Sequence, residues 1–422
     1  VLANFGWLSA DKVYRLSLSL VVGTWVARYL GPGGYGVMNY GLAVVGLVSL
    51  LPVLGLDNLL RRELVRQPAA SGRLLGTTFV LRLAGGIITY GGLLVFVHVH
   101  EPDPAARLAI AMAGLTLVQQ AVLTIDVWFQ SQLLSKHTVI AQNTAFTVSS
   151  LLRVGFILAG APLAWFLVLM ALDAPLTAGL LVAAYRRGQR RFSDWRWDGT
   201  LARELLAQSW PLALSSMATL VYLKVDQVML RSLVGPAEVG LYAGAVRLAE
   251  ILQMLPVMLA ASFAPSLVQA RARDTGEYER RIRHFFHLSA TSAWALALVC
   301  AALAPWIVGR LYGPAYARST GMLMMLMVAL PFIALGTARL EYLMNEGLLR
   351  FQLVTTVIGA GLNVTLNFWW IPLWGGLGAA AASATTCALV ALLTSFCWPR
   401  TRRMGLWQLE ALVTPWRIFT RA

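Results

Sequence analysis

Twelve apolar stretches of about twenty residues each, separated by short segments of glycine, proline and arginine, run the length of this sequence. In the first half they cover 13–30, 37–57, 75–97, 106–128, 138–160 and 162–184; in the second half 208–233, 240–263, 285–308, 317–338, 350–371 and 376–398. A helix needs roughly 20 residues to cross about 30 Å of hydrocarbon. Each stretch is long enough, and helices satisfy their own backbone groups in lipid. The expected fold is therefore an all-α integral membrane protein of about twelve transmembrane helices. Composition agrees, with 58% hydrophobic and 13% charged residues against about a quarter charged in ordinary soluble domains. The connections are too short for a separate catalytic domain.

The remaining charge is lopsided: 34 Lys and Arg against 19 Asp and Glu, a net +15. Cytoplasmic loops collect Lys and Arg. The loops after the second, sixth and eighth stretches hold Arg61, Arg62, Arg66 and Arg73; Arg186, Arg187, Arg190, Arg191, Arg196 and Arg203; and Arg271, Arg273, Arg280, Arg281 and Arg283. The tail adds Arg400, Arg402, Arg403, Arg417 and Arg421, whereas the opposite side holds Arg107, Arg310 and Arg318. Both termini are expected in the cytoplasm. Interspersed acids and the anionic inner leaflet account for these loops without nucleic acid. The stretch 406–413, with Trp416-Arg417-Ile418-Phe419, reads as an amphipathic segment lying on that leaflet. The first residues carry no charged region leading into a cleavage site, so the spans themselves are expected to target the membrane. Cys300, Cys387 and Cys397 lie in apolar runs without a CxxC pair, which predicts no disulfide framework.

The sequence also repeats itself. Leu30-Gly31-Pro32-Gly33-Gly34-Tyr35-Gly36 matches Val234-Gly235-Pro236-Ala237-Glu238-Val239-Gly240, and Leu51-Pro52-Val53 falls on Leu255-Pro256-Val257, at a constant offset of 204 residues. A six-span unit has been duplicated, and because six is even the copies run parallel. The expected organisation is an N-terminal six-helix lobe (1–185), a basic cytoplasmic linker (186–206), a C-terminal six-helix lobe (207–398) and a basic amphipathic cytoplasmic tail (399–422). Two such lobes suit an alternating-access transporter. Pro52 and Pro256, each inside the second span of its copy, free a helix carbonyl and are candidate hinges or packing kinks.

Ionisable residues inside spans are expensive and line cavities or pair with one another. Arg15, Arg28, Arg82, Arg153, Lys224, Arg231, Arg247 and Arg339 fall within or at the ends of spans; the acids there are Asp57, Asp126, Asp173, Asp226 and Glu250. Arg247 and Glu250, three apart, are expected to pair. Lys224, Gln227 and Arg231 share one helix face, from which Asp226 points away. Arg82 and Arg153 sit deep in apolar runs and are expected to be uncompensated, which would suit them to bind phosphate through bidentate hydrogen bonds. Arg15, Arg82, Arg153, Lys224, Arg231 and Arg247 form the candidate cationic cavity. Asp126, Asp173, Asp226 and Glu250 are candidates for ion coupling or charge pairing. Gln119, Gln120, Gln142, Asn143, Asn363 and Asn367, with Tyr14, Trp25, Tyr40, Trp128, Tyr222 and Tyr242, could meet sugar hydroxyls and rings, although helix-helix hydrogen bonds are the default for the amides and interface belts for most of the aromatics.

Leu30-Gly31-Pro32 through Tyr35-Gly36, Gly55-Leu56-Asp57-Asn58 with Arg61 and Arg62, Asp226-Gln227-Val228-Met229-Leu230, Val239-Gly240-Leu241-Tyr242 through Arg247 and Glu250, and Leu311-Tyr312-Gly313-Pro314 together resemble the polysaccharide-biosynthesis flippases of Wzx type. These belong to one MATE-like superfamily with multidrug extruders and lipid II flippases. The resemblance covers nearly the whole chain. It implies two lobes that move an undecaprenyl-diphosphate-linked oligosaccharide, an O-antigen, capsule or exopolysaccharide repeat unit, from the inner to the outer leaflet of the bacterial cytoplasmic membrane. The partners it implies are the polyprenyl-diphosphate-linked glycan, membrane lipids, and a polysaccharide polymerase with its assembly proteins. No cofactor is expected beyond H+ or Na+ coupling. Lipid II flippases carry an extra helix pair, whereas the spans here stop at twelve.

Two rivals stand beside this reading. A cation or drug antiporter on the same fold would need uncompensated acids, which the cations outnumber here. A membrane glycosyltransferase or polymerase would need larger external loops or acidic pairs than Glu101-Pro102-Asp103. His98/His100 and His284/His287 lack Glu or Cys arranged for a metal, and the chain has no phosphate-binding P-loop. An enzyme is not expected.

Overall fold

Glycine and proline decide where these helices break, because one accepts positive φ and the other lacks an amide proton. A computed structural model describes the backbone of residues 2–188 and 192–415, and the side chains of these except 2–13, 210–216, 218, 219 and 222. The described chain is helical, without strands. In the first half the helices are α1 (Leu2–Val48), α2 (Leu50–Val53), α3 (Leu56–Arg66), α4 (Ser71–His100), α5 (Pro104–Gln119), α6 (Thr124–Ser131), α7 (Ser135–Leu158) and α8 (Leu163–Arg187). The long α9 (Gly199–Leu233) follows, then α10 (Pro236–Leu252), α11 (Met254–Arg273), α12 (Thr275–Leu311), α13 (Ser319–Asn345) and α14 (Leu349–Trp374). Last come α15 (Gly376–Ala388), a π-helical turn at Leu389–Leu393, α16 (Thr394–Phe396) and α17 (Pro399–Val413).

Every one of the twelve expected spans falls on helix. Eight helical segments among the described residues are long and apolar enough to cross a bilayer, nine when α5 and α6, bent by 43°, count as one. The first of these, Tyr14–Arg66, has 53 residues, which at 1.5 Å per residue is about 80 Å, far beyond one hydrocarbon thickness. Gly31 interrupts its helical backbone at φ 67°, ψ 174° and divides it into the first two expected spans.

The duplication is visible residue by residue in the backbone. Gly235, the counterpart of Gly31, takes φ 127°, ψ 177°, so each copy leaves its first helix through the same kind of glycine joint. Pro52 and Pro256 cannot donate to the carbonyls of Val48 and Leu252, four residues back. The helical hydrogen-bond ladder is interrupted just upstream in both copies, at Ser49 (φ −64°, ψ −22°) and its counterpart Gln253 (φ −66°, ψ −13°), while both keep right-handed helical dihedrals. The copies then diverge. Leu54 and Gly55 are both left-handed, at φ 55° and 68°, and interrupt the first copy a second time, whereas α11 runs on unbroken to Arg273.

The chain forms two compact units, Val1–Lys224 and Val225–Ala422. They divide inside α9, not in the expected 186–206 linker. The reason is that the described part of this segment is bolted to the first unit. The Arg196 amide donates to the Gly72 carbonyl (3.1 Å), and a side chain at Gly72 or Gly76 would strike the Asp194 or Arg196 backbone. Trp195 donates its indole N–H to the Tyr185 hydroxyl (3.1 Å) and packs with Tyr185, Phe192 and Phe79. Asp198 caps α9, accepting from the amides of Thr200 (2.9 Å) and Leu201 (3.0 Å), and pairs with Arg73.

The tail is also more firmly held than expected. In the second unit α17 buries Met404, Trp407, Gln408 and Ala411, the apolar ones joining a core with Phe285, Phe286, Leu335 and Leu343. Arg403 pairs with Glu279, and the Arg283 and Arg403 guanidinium groups lie over the Trp407 ring at 4.8 and 5.3 Å. Leu406, Leu409 and Val413 remain exposed, so only this second face of the helix is left to meet lipid. Arg190, Arg191, the side chain of Tyr222, Trp416-Arg417-Ile418-Phe419 and Arg421 lie outside the described residues.

Candidate functional site

Helix α7 is long enough to span a bilayer yet is not among the eight sufficiently apolar helices. Its polarity is concentrated. Gln142, Phe146, Ser149 and Arg153 recur at intervals of four, three and four, and so form one stripe, with Asn143, Thr147 and Ser150 beside it. In a membrane protein such a stripe must meet other protein groups or water.

At one end of the stripe stands Arg15 of α1. It donates to Gln142 Oε1 (2.8 Å) and Asn143 Oδ1 (3.1 Å), and its guanidinium lies 5.9 Å from the centre of the Phe146 ring. Next to it the Tyr14 hydroxyl shares a 2.6 Å hydrogen bond with Thr147. Towards the other end Arg153 donates to Asp173 Oδ2 of α8 (2.7 Å), while the Ser149 hydroxyl holds the second oxygen of the same carboxylate. The side chains of Arg153 and Asp173 are 21% and 35% exposed, so a ligand can reach this ion pair.

The expectation that Arg82 and Arg153 are uncompensated is corrected: each has a carboxylate, supplied by a different helix. Arg82 on α4 donates to Asp57 on α3. It is 1% exposed whereas Asp57 is 48% exposed, so Arg82 fastens α4 to the broken second span and presents no surface to a ligand in this conformation. Asp57 and Asp173 lie 25 and 20 residues from their arginines, and helical periodicity cannot predict such pairs.

The other expected residues fall elsewhere. Arg247 and Glu250 pair at 3.7 Å on the α10 surface, as their spacing predicts. Asp226 is buried and accepts from the Tyr242 hydroxyl and the Gln227 amide; Lys224 and Arg231 are half-buried. Asp126 on α6 accepts from Gln130 (2.9 Å). Pro52 and Pro256 stand at the paired helix breaks described above. Of the aromatic candidates, Tyr14 joins the α7 cluster; Tyr40 donates to Glu101 (3.0 Å), Trp128 packs with Phe129 and Tyr185, and Trp25 is exposed. Asn363 and Asn367 are buried and bonded to one another (3.0 Å).

Some polar contacts had no sequence signal. Phe146, Thr147 and Ser149 enter the cluster only because α1 and α8 pack on α7. Arg339 is fully buried and, among the described residues, binds no carboxylate; it donates to the Val390 carbonyl (2.6 Å) and to Thr355 (3.0 Å) and lies 5.2 Å from the Phe351 ring centre. Val390 is in the π-helical turn, whose altered hydrogen bonding opens a carbonyl to this guanidinium. Glu238 pairs with Arg318 (2.5 Å) and accepts the Gly376 amide at the start of α15 (2.9 Å). Among the described residues no cluster of three or more His, Cys, Asp or Glu could hold a metal ion.

Comparison with known proteins places these features. Solved structures with the same fold include the lipid II flippase MurJ in an inward closed conformation, at 11% identity and a TM-score of 0.74 over 98% of this chain and 92% of that one. An inward-facing multidrug resistance MATE family transporter of the MOP superfamily matches at 15% identity and a TM-score of 0.69 over 99% of both chains. A MOP superfamily transporter from Pyrococcus furiosus, described by the reverse polarity of its binding pocket, matches at 12% and 0.56 over 98% and 93%. No curated protein matches by sequence. The chain is thus a multi-pass membrane protein of MATE-like fold. The MatE family matches residues 211–369. The family described as polysaccharide biosynthesis protein matches residues 1–270, well over half the chain, and it is to this family that the chain belongs.

Proposed function

We propose that this chain is a flippase that moves a polyprenyl-diphosphate-linked oligosaccharide from the inner to the outer leaflet of the bacterial cytoplasmic membrane by alternating access of its two lobes. The observation that carries the reading is the polar stripe of α7, with Arg15 at one end and the accessible Arg153–Asp173 pair towards the other. Amides, hydroxyls and an aromatic ring suit sugars, and guanidinium groups suit a diphosphate. Membership of the polysaccharide biosynthesis family supports the glycan as cargo. The polyprenyl tail stays in lipid, where it needs no polar site.

Arg15 and Arg153 are assigned to the diphosphate-sugar head. Arg82 and Arg247, committed to Asp57 and Glu250, serve structure. Asp173 competes with cargo phosphate for Arg153. A coupling ion, H+ or Na+, that displaced this contact would release Arg153 to the cargo. Other members of the assembly line, such as a polysaccharide polymerase, would receive the cargo outside.

The test is flipping of a fluorescent polyprenyl-diphosphate glycan in proteoliposomes, read by protection from an external quencher. Arg15→Ala and Arg153→Ala should each abolish flipping with protein abundance unchanged, and Asp173→Asn should uncouple it from an imposed ion gradient. Wild-type flipping in both arginine variants would overturn the site. Transport of a cationic dye without glycan flipping would favour the drug-antiporter alternative that the MatE match to residues 211–369 keeps in view.

A further inference from the structure

Away from the α7 stripe, the first unit carries a cavity of about 370 Å³ between the C-terminal turns of α3, the start of α4 and the first turns of α9. Its floor is apolar, formed by Leu59, Leu74 and Leu205, all buried. Its rim is charged, and most of that charge is already committed. Arg62 donates to Glu63 (3.0 Å) and to Gln208 (3.3 Å), Gln67 donates to Glu63 (3.2 Å), and Arg73 is held by Asp198. Two rim residues are uncommitted. Arg66 on α3 and Glu204 on α9 are exposed and have no ion pair or hydrogen bond among the described residues.

A cleft that offers one open cation and one open anion across a polar rim is matched to a zwitterion. A purely anionic group would leave Glu204 facing like charge, and an ammonium group alone would do the same to Arg66. We propose that this cavity binds the headgroup of a phosphoethanolamine phospholipid, its phosphate on Arg66 and its primary ammonium on Glu204. The loop that carries Arg61, Arg62, Arg66 and Arg73 is the one that cation asymmetry places at the cytoplasmic surface, at headgroup depth. The site is distinct from the α7 cluster, and its occupant is a resident lipid rather than cargo.

Native mass spectrometry of the purified full chain, titrated with phosphatidylethanolamine, phosphatidylcholine or phosphatidylglycerol, tests the assignment. Phosphatidylethanolamine should bind in preference to both others, because phosphatidylcholine lacks ammonium N–H donors and phosphatidylglycerol lacks the cation. Arg66→Gln should weaken phosphatidylethanolamine and phosphatidylglycerol alike by about tenfold, the size of one charge-assisted hydrogen bond. Glu204→Gln should level phosphatidylethanolamine with phosphatidylcholine, while Arg203→Gln, outside the rim, should change nothing. Equal binding of the three lipids to the wild type, or undiminished phosphatidylethanolamine binding by Arg66→Gln, would overturn the proposal. Displacement of the lipid by soluble phosphoethanolamine at matched concentration would overturn its lipid part, since the apolar floor would then add nothing.

Discussion

Two arginines that look alike in the sequence should answer substitution differently. Arg153 is reachable and its ion pair is partly exposed, so Arg153→Ala should leave thermal stability within about 1 kcal/mol while removing flipping. Arg82 is buried against Asp57, and Arg82→Ala should lower stability by about 1–3 kcal/mol through a lost charge-assisted hydrogen bond and an unfilled site. Thermal unfolding in detergent beside the flipping assay separates the two, and equal stability loss in both would contradict these roles. Glu238→Ala is expected to cost about 1–3 kcal/mol as well, because it strips the Gly376 amide of its acceptor. The identities of the intramembrane charges were legible in the sequence, but most of their partners were not. Arg247 and Glu250 could be paired from spacing alone, whereas Asp57, Asp173 and Glu238 meet their partners across helix packing, which a one-dimensional pattern does not record.

At the scale of elements, the twelve helical stretches and the Gly31 and Gly235 joints were legible, since apolar length and Gly-Pro pairs act locally. The second break of the first copy was not, because Leu54 carries no signature of a left-handed backbone. Gly55 is the more telling position: Gly55→Ala should cost about 1–2 kcal/mol for its positive φ, and the loss should show as a lower melting temperature. Pro52→Ala and Pro256→Ala restore an amide that can bond Val48 or Leu252; if the breaks are hinges, flipping should slow with stability unchanged or raised, and unchanged rates would make them packing kinks. The basic segment after α8 looked like a solvated linker from composition alone, because its anchorage depends on the close approach at Gly72 and Gly76. That anchorage should respond to acid. Hydrogen bonds, first from the Leu201 amide and then from Arg73, hold the Asp198 carboxyl below the usual carboxylate range. Its contribution is present above the unfolded value of about 3.9 and is lost as pH falls through the lower folded value. Hydrogen exchange at Trp195–Leu201 should therefore accelerate only in strong acid, and Asp198→Asn should show faster exchange already at neutral pH.

For the whole molecule, the net charge of +15 resolves differently once side chains are placed. Arg82, Arg153 and Arg247 all have carboxylates within reach, so little of the excess is left as fixed positive charge waiting for an anionic cargo. On the proposed function, cargo affinity comes from exchange, phosphate taking the place of Asp173 at Arg153. The larger share is the arginine of three loops and the tail, which the positive-inside rule predicts to set orientation. A fluorescent protein that matures only in the cytoplasm should light up when fused after Ala422, and alkaline phosphatase, active only where disulfides form, should be active when inserted after Glu101. The opposite pair of results would invert the chain. Arg66 and Glu204 would then face the outer leaflet and flipping would run inward; because cation asymmetry underlies both assignments, this experiment constrains the direction of transport as well as the position of the lipid cleft.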